Sequence, residues 1–296
     1  MKAMKHKSVN VMMVAALCLQ SAAIGAQRAS APQQQPEKKW VGQPIVMLHG
    51  WGAVHHRDHD LAKTSVGINI VTPVVRVEGH RLWLNSTGGD NSGWVDVKDV
   101  LLLSEAVPYF NSLIASNPRN WDAYLRRAEA EHALNQREAA TNDYSKAIEL
   151  HPAEAFLYLR RGRHYNTLKS CESALHDFEE AIRLTPESAK QDYNLKAELY
   201  SLESGVYANC PDISVRDPQR AIVTARRAVT LDPSRPTLLT ILAGAYARAG
   251  KLEQAIKFQQ QALSSPRFPP AYREGAEQQL HQYQQTLASP KSNGPL

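Results

Sequence analysis

The chain has 296 residues, of which 43% are hydrophobic and 21% charged, which suits one or two globular domains and excludes a disordered or fibrous chain. The formal net charge is +5, and Lys2, Lys5 and Lys7 carry three of those charges with no acid nearby. The near-neutral remainder lacks the basic surplus that a nucleic-acid partner requires.

Residues 1–26 read as an export signal. The three lysines form a positive head, Val11 to Leu19 (VMMVAALCL) a short apolar core, and Ser21 to Ala26 (SAAIGA) a small-residue cleavage region. That core is too short for a stable bilayer span, so cleavage after Ala26 is expected and a retained anchor is the alternative. Cys18 follows Leu17, which does not suit a lipoprotein. The expected location is therefore periplasmic or extracellular, with nothing spanning the membrane after cleavage. Cys171 and Cys210 then remain. Export permits their pairing, but two separate thiols are the plainer reading.

Residues 27–39 (QRASAPQQQPEKK) are rich in Gln and Pro and read as a disordered tether. Residues 40–103 change character, with short apolar runs between turn signals. Ile45 to Leu48 is one run. Ile68 to Val77 is β-branched and is two strands or one broken at Pro73, which cannot donate to a ladder. Glu78-Gly79-His80 turns into Arg81 to Asn85, and Gly88 to Gly93 turns into Trp94 to Val97. Short strands at this density suggest a small β-barrel. The succession RLWL, Gly-rich turn, SGWV and KDVLLL resembles the bacterial Src homology 3-like barrel. The resemblance implies that Trp94 packs in the barrel and that Val100 to Leu103 closes it.

From Ser104 the pattern is helical, and residues 104–288 repeat themselves. Shifted by 34, Tyr124 falls on Tyr158, Arg127 on Arg161, Ala140 on Ala174, Tyr144 on Phe178, Ala147 on Ala181 and Pro152 on Pro186. Helix pairs are expected at 121–134 with 138–151 and at 155–168 with 172–185. One period earlier, Ala106, Phe110 and Pro118 mark the second helix of a half repeat fused to the barrel. The third repeat is longer, since Ala181 to Ala228 spans 47 residues, and the surplus is expected around Ala208 to Pro218. The fourth is regular again, with Ala221 and Ala255 34 apart. Pro270 to Leu287 would cap the stack, and 289–296 would be a frayed tail.

These Tyr, Gly or Ala, Ala, aromatic, Ala and Pro positions resemble the tetratricopeptide repeat. Arg127 departs from it, since an apolar residue is usual there. The resemblance implies a mostly α chain, a helical solenoid behind a small all-β barrel, and a non-catalytic protein that binds a protein or peptide partner. It also implies a concave face lined by the first helices, here Leu125, Glu129 and His132, then Phe156, Leu159, Arg163 and Asn166. Arg160 and Arg163 could pair with acidic groups of a ligand. The layout is similar to exported bacterial proteins that join these two modules. An accessory subunit of an envelope enzyme or secretion complex, with a purely structural barrel, is the alternative role.

Two stretches imitate other chemistry. GQPIVMLHGWG (Gly42 to Gly52) is similar to the opening of an α/β-hydrolase, but no G-x-S-x-G elbow follows. His49, His55, His56, Asp58, His59 and Asp60 are dense enough to bind a transition metal, with His55, His56 and His59 the weak candidates. They lack helical spacing, so a solvated loop is expected, with no metal and no cofactor.

Overall fold

The computed structural model describes residues 40–48, 72–84, 93–188 and 190–289. The expected leader and tether, His49 to Asp60 and the tail beyond Ser289 lie outside the described residues. The fold is a tetratricopeptide-like solenoid preceded by a small antiparallel sheet.

Five strands are described: β1 (Pro44–Met47), β2 (Thr72–Glu78), β3 (Arg81–Leu84), β4 (Gly93–Asp96) and β5 (Val100–Leu102). Their order is β4-β3-β2-β1-β5, every named pair is antiparallel, and a 3-10 turn (Val97–Asp99) separates β4 from β5. Pro73 is the second residue of β2 and does not divide it; it stands opposite Pro44. Alternation decides the faces. Ile45, Met47, Val74, Leu82, Leu84, Val95 and Val100 form one buried cluster. Trp94 points the other way from Val95 and meets Trp83 edge-on at 5.2 Å, so it is buried on the outer face and not in the central cluster. Val46, between Ile45 and Met47, packs with Ala106, Phe110 and Ala123 of the first two helices. One strand thus buries both faces, which joins sheet and helices without a spacer.

Among the described residues ten helices follow: α1 (Leu103–Ser116), α2 (Trp121–Ala133), α3 (Arg137–Leu150), α4 (Ala155–Thr167), α5 (Cys171–Leu184), α6 (Lys190–Asn209), α7 (Pro218–Leu231), α8 (Pro236–Arg248), α9 (Leu252–Ser264) and α10 (Pro270–Ala288). The four helices of the two regular repeats lie within a residue of their expected bounds. Each of three hairpins turns through a residue in the left-handed region: Asn135 (φ 61), Lys169 (φ 63) and Gly250 (φ 72). The N–H groups of Gln136, Ser170 and Lys251 then donate back to the carbonyls of Glu131, Tyr165 and Tyr246, which satisfies helix-end acceptors.

Small residues set the approach of the paired helices. A Cβ on Gly162 would lie 2.7 Å from Cε1 of Phe178, a side chain that is fully buried. The arginine at position 127 is explained by its partners. Its guanidinium donates to both Asp143 oxygens and, at 2.7 Å, to Asn111 of the preceding helix. One repeat on, Arg161 donates to both Asp177 oxygens at 2.8 Å and to Ser145 at 3.1 Å. Each fork ties three helices with charge-assisted bonds. In the fourth repeat the same two places hold Leu242 and Phe258, so the pair is apolar where the fork is missing.

The long repeat corrects the expected position of the extra residues. Tyr158 and Tyr200 are 42 apart, and Tyr207 and Tyr246 are 39 apart, so eight extra residues precede the register of α6 and five fall after it. The eight occupy the stretch leading into α6 and its first turns, and this makes α6 20 residues long. The five lie in the Cys210 to Asp217 loop, where Asp217 caps α7 by accepting from Gln219 and Arg220. Cys171 and Cys210 are not separate thiols: they form a disulfide with Cα atoms 6.2 Å apart, joining the start of α5 to the end of α6. Closing a loop with a sequence separation of 39 contributes on the order of 4 kcal/mol.

Two substitutions check this packing. Gly162→Ala is expected to cost about 1–3 kcal/mol, read by urea unfolding, because the Phe178 ring has no room to yield. Asp177→Ala strands a part-buried guanidinium and costs about 2–4 kcal/mol, whereas Arg161→Leu with Asp177→Phe, copying Leu242 and Phe258, recovers most of that loss.

Candidate binding groove

The first helices of successive repeats, α2, α4, α6 and α8, with α10 beyond them, supply one continuous face. On α2 and α4 large side chains fill it. Leu125 and Leu159 are buried in apolar clusters, and Glu129 and Arg160 are buried beside them. Phe156, His132, Arg163 and Asn166 are part-exposed. The sequence-derived lining therefore divides: four of its residues belong to the interior of the stack and four reach the surface.

Glu129 Oε2 accepts from Arg126 at 2.9 Å, and its Oε1 lies 3.4 Å from Arg160 Nε. Arg163 is ion-paired with Glu198 of α6. Beside them His132 Nδ1 meets His164 Nδ1 at 2.7 Å. His164 Nε2 lies 3.1 Å from the carbonyl of Arg137 and 2.9 Å from the Thr141 hydroxyl, which itself donates to that carbonyl. Both neighbours therefore act as acceptors, so Nε2 carries the His164 proton and Nδ1 accepts from His132. Burial pushes both imidazoles below their usual pKa, and His132 lowers His164 further.

On α6 and α8 the same positions are small. Gly205, Ala208, Gly244 and Ala247 line a cavity of about 570 Å³, and Asn166 and Arg248 also belong to its lining. Helix α10 closes the far side with Gln279, Gln282, Tyr283 and Thr286. Added Cβ atoms would meet nothing within 4 Å at Gly205 and only the Tyr283 hydroxyl, at 4.0 Å, at Gly244. The lining mixes an apolar floor with amides and hydroxyls. Only Asn166 of the sequence-derived residues reaches it. Tyr200, Tyr207 and Tyr246 carried the signal that was missed, because they place α6 and α8 in register once the insertion is divided.

His55, His56 and His59 lie outside the described residues, as does His49 of the hydrolase-like loop. Among the described residues no group of three or more His, Cys, Asp or Glu is placed to hold a metal ion, and no helix is long and apolar enough to cross a membrane.

Residues 103–155 and 213–272 match the family model of the tetratricopeptide repeat. Those segments carry tetratricopeptide repeats. The structure is similar to the crystal structure of MamA, with a TM-score of 0.46 and 17% identity over 59% of this chain and 91% of that one. It is also similar to TTC0263, a thermophilic tetratricopeptide repeat protein of Thermus thermophilus, with a TM-score of 0.46 and 18% identity over 62% of this chain and 91% of that one. MamA 41-end from Desulfovibrio magneticus RS-1 gives a TM-score of 0.44 and 17% identity over 54% of this chain and 84% of that one. No curated protein matches the chain.

The histidine pair makes a pH dependence. Histidines whose folded pKa is depressed contribute stability that is present above the unfolded value of 6.5 and is lost as pH falls below it. Glu131 and Glu203 act in the opposite sense. Burial, with Asp143 and Glu179 respectively, raises each to about 7, so their contribution is lost as pH rises from 4.5 through 7. The difference in unfolding free energy between wild type and His132→Gln/His164→Gln isolates the pair. It is expected to move against the wild type between pH 7 and pH 5, and a difference independent of pH would contradict the assignment.

Proposed function

We propose that the chain is a non-catalytic, exported interaction scaffold that holds a protein or peptide partner on the concave face of its helical repeats. The observation that carries this reading is the cavity floored by Gly205, Ala208, Gly244 and Ala247 and walled by α10. Four small residues at positions that bear Glu129, His132, Arg163 and Asn166 in the earlier repeats leave room for a ligand backbone. Such a face offers binding area along a rigid stack.

The five-stranded sheet is read as a Src homology 3-like barrel, supported by its strand order and by the 3-10 turn between β4 and β5. We assign it an accessory docking role. A purely structural barrel within a larger envelope complex is the second reading, and the burial of Val46 against α1 and α2 favours it. Export is supported by the positive, apolar and small-residue succession of residues 1–26 and by the Cys171–Cys210 disulfide, since such bonds persist in oxidising compartments.

Filling the cavity tests the proposal. Gly205→Phe and Gly244→Phe are expected to retain the melting temperature within a few degrees and to lose at least tenfold in partner recovery from envelope extract. Full recovery by both variants would move binding off this face.

A further inference from the structure

His132 of α2 and His164 of α4 come from two successive repeats and meet at their Nδ1 atoms, 2.7 Å apart. The fold does not call for a histidine at 164. One repeat earlier the same position is Ala130. The registers set by Tyr207 and Tyr246 place Val206 and Ala245 there in the next two repeats, and all three are buried apolar residues. His164 is itself only 1% exposed, so the stack encloses an imidazole where an alanine fits. Position 132 likewise becomes Asn166, Ala208 and Ala247 in the later repeats.

The ring of His164 is held from behind. Its Nε2 donates to the Arg137 carbonyl at 3.1 Å and the Thr141 hydroxyl at 2.9 Å, both in the first turns of α3, which fixes its orientation and tautomer. A backbone carbonyl that takes one ring N–H while the other nitrogen presents its lone pair is the support that metal-ligating histidines receive. Here the presented lone pair, on Nδ1, takes the proton of His132 Nδ1. His132 is part-exposed, which gives the pair its approach from solvent and leaves that ring room to turn.

We propose that His132 and His164 form a two-histidine binding site for a divalent cation of the zinc class, with water in its remaining positions. Imidazole nitrogens suit Zn(II) or Cu(II), whereas Mg(II) and Ca(II) take oxygen ligands. With bonds of about 2.0–2.1 Å, two nitrogens on a tetrahedral ion stand about 3.3 Å apart. The pair therefore opens by about 0.6 Å from its 2.7 Å contact, which a turn of the His132 ring supplies. On binding, the ion gives up two waters to the two lone pairs. The proton of His132 Nδ1 passes through solvent to Nε2 of the same ring, so neither imidazole changes charge. Among the described residues no third His, Cys, Asp or Glu joins the two, which leaves the site open to solvent and its affinity modest. The ion bridges α2 and α4 and stabilises the joint between two repeats in proportion to its occupancy. Neither histidine lines the cavity at α6, α8 and α10, so the site stands or falls apart from the groove reading.

The full-length chain carrying His55→Ala, His56→Ala and His59→Ala, which removes the other dense group of histidines, is the parent. It is titrated calorimetrically at neutral pH with zinc chloride and with magnesium chloride. His132→Asn and His164→Ala, which copy Asn166 and Ala130 of the neighbouring repeats, are compared in the same background. The parent is expected to bind one zinc and no magnesium, and each variant to lose at least tenfold in zinc affinity. Zinc is expected to raise the melting temperature of the parent and not of the variants. Imidazole NMR of the parent reads the tautomers: without metal the protons are on Nδ1 of His132 and Nε2 of His164, and with zinc on Nε2 of both. Zinc bound equally by the parent and both variants is an adventitious ion only and overturns the site, as does an absence of binding. Where a variant does not fold, the parent's NMR decides alone, and a His132 that keeps its Nδ1 proton in saturating zinc overturns the site.

Discussion

Everything in the helical part depends on how closely the two helices of a hairpin can approach. At Gly162 the gap to Phe178 leaves no room for even a methyl group. That approach buries Ala174 and Ala181 completely and lets the aromatic at 178 lie flat between the helices. No single hairpin encloses enough apolar surface to stand alone, so the close pairs stack and share their interior. The Arg127–Asp143 and Arg161–Asp177 forks add direction to that stacking. Each reaches a third helix, through Asn111 and Ser145, and so fixes the angle between neighbouring repeats as well as the pair within one.

The same close packing explains how an irregular repeat is tolerated. Thirteen surplus residues in one place would force one connection to bulge far from the stack. Division into eight before the register of α6 and five after it keeps Tyr200 and Tyr207 on the faces occupied by Tyr158 and Tyr165. Arg227 of α7 then lies over Tyr200 at 5.5 Å. The disulfide holds the second insertion against the preceding repeat. Helices α6 and α8 consequently present their small residues side by side, and the cavity is the space those residues leave. The proposed binding face is thus a run of glycine and alanine placed in register by aromatics on the other face.

Much of the solenoid was legible in the sequence because its interior is periodic. Identical positions meet identical surroundings in every regular repeat, so Ala140, Ala147 and Pro152 announce helices within one residue of their bounds. The strands of the sheet were legible as apolar runs, yet the face on which Trp94 is buried was not. Its side follows from cross-strand partners, which a single run does not contain. Arg127 looked like a defect because its compensation, Asp143, is 16 residues away on another helix. The disulfide was equally non-local, since it depends on where the insertion falls. The groove residues were partly misplaced for a related reason. Position along a helix tells which face a residue occupies but not whether a neighbour fills that face, and Leu125 and Leu159 are covered where Gly205 and Gly244 are not.

The central claim, that partner binding occurs on the inner face at α6, α8 and α10, is tested most directly by site-specific photocrosslinking. A benzophenone side chain is placed at Thr240 or Gln282, which line the cavity, and at Arg183 or Lys146, which do not line it and are exposed or part-exposed on second helices. The same partner is expected to be captured from Thr240 and Gln282 and competed away by unlabelled partner, with no such product from Arg183 and Lys146. Capture of that partner from Arg183 and Lys146 and not from the cavity would contradict the claim.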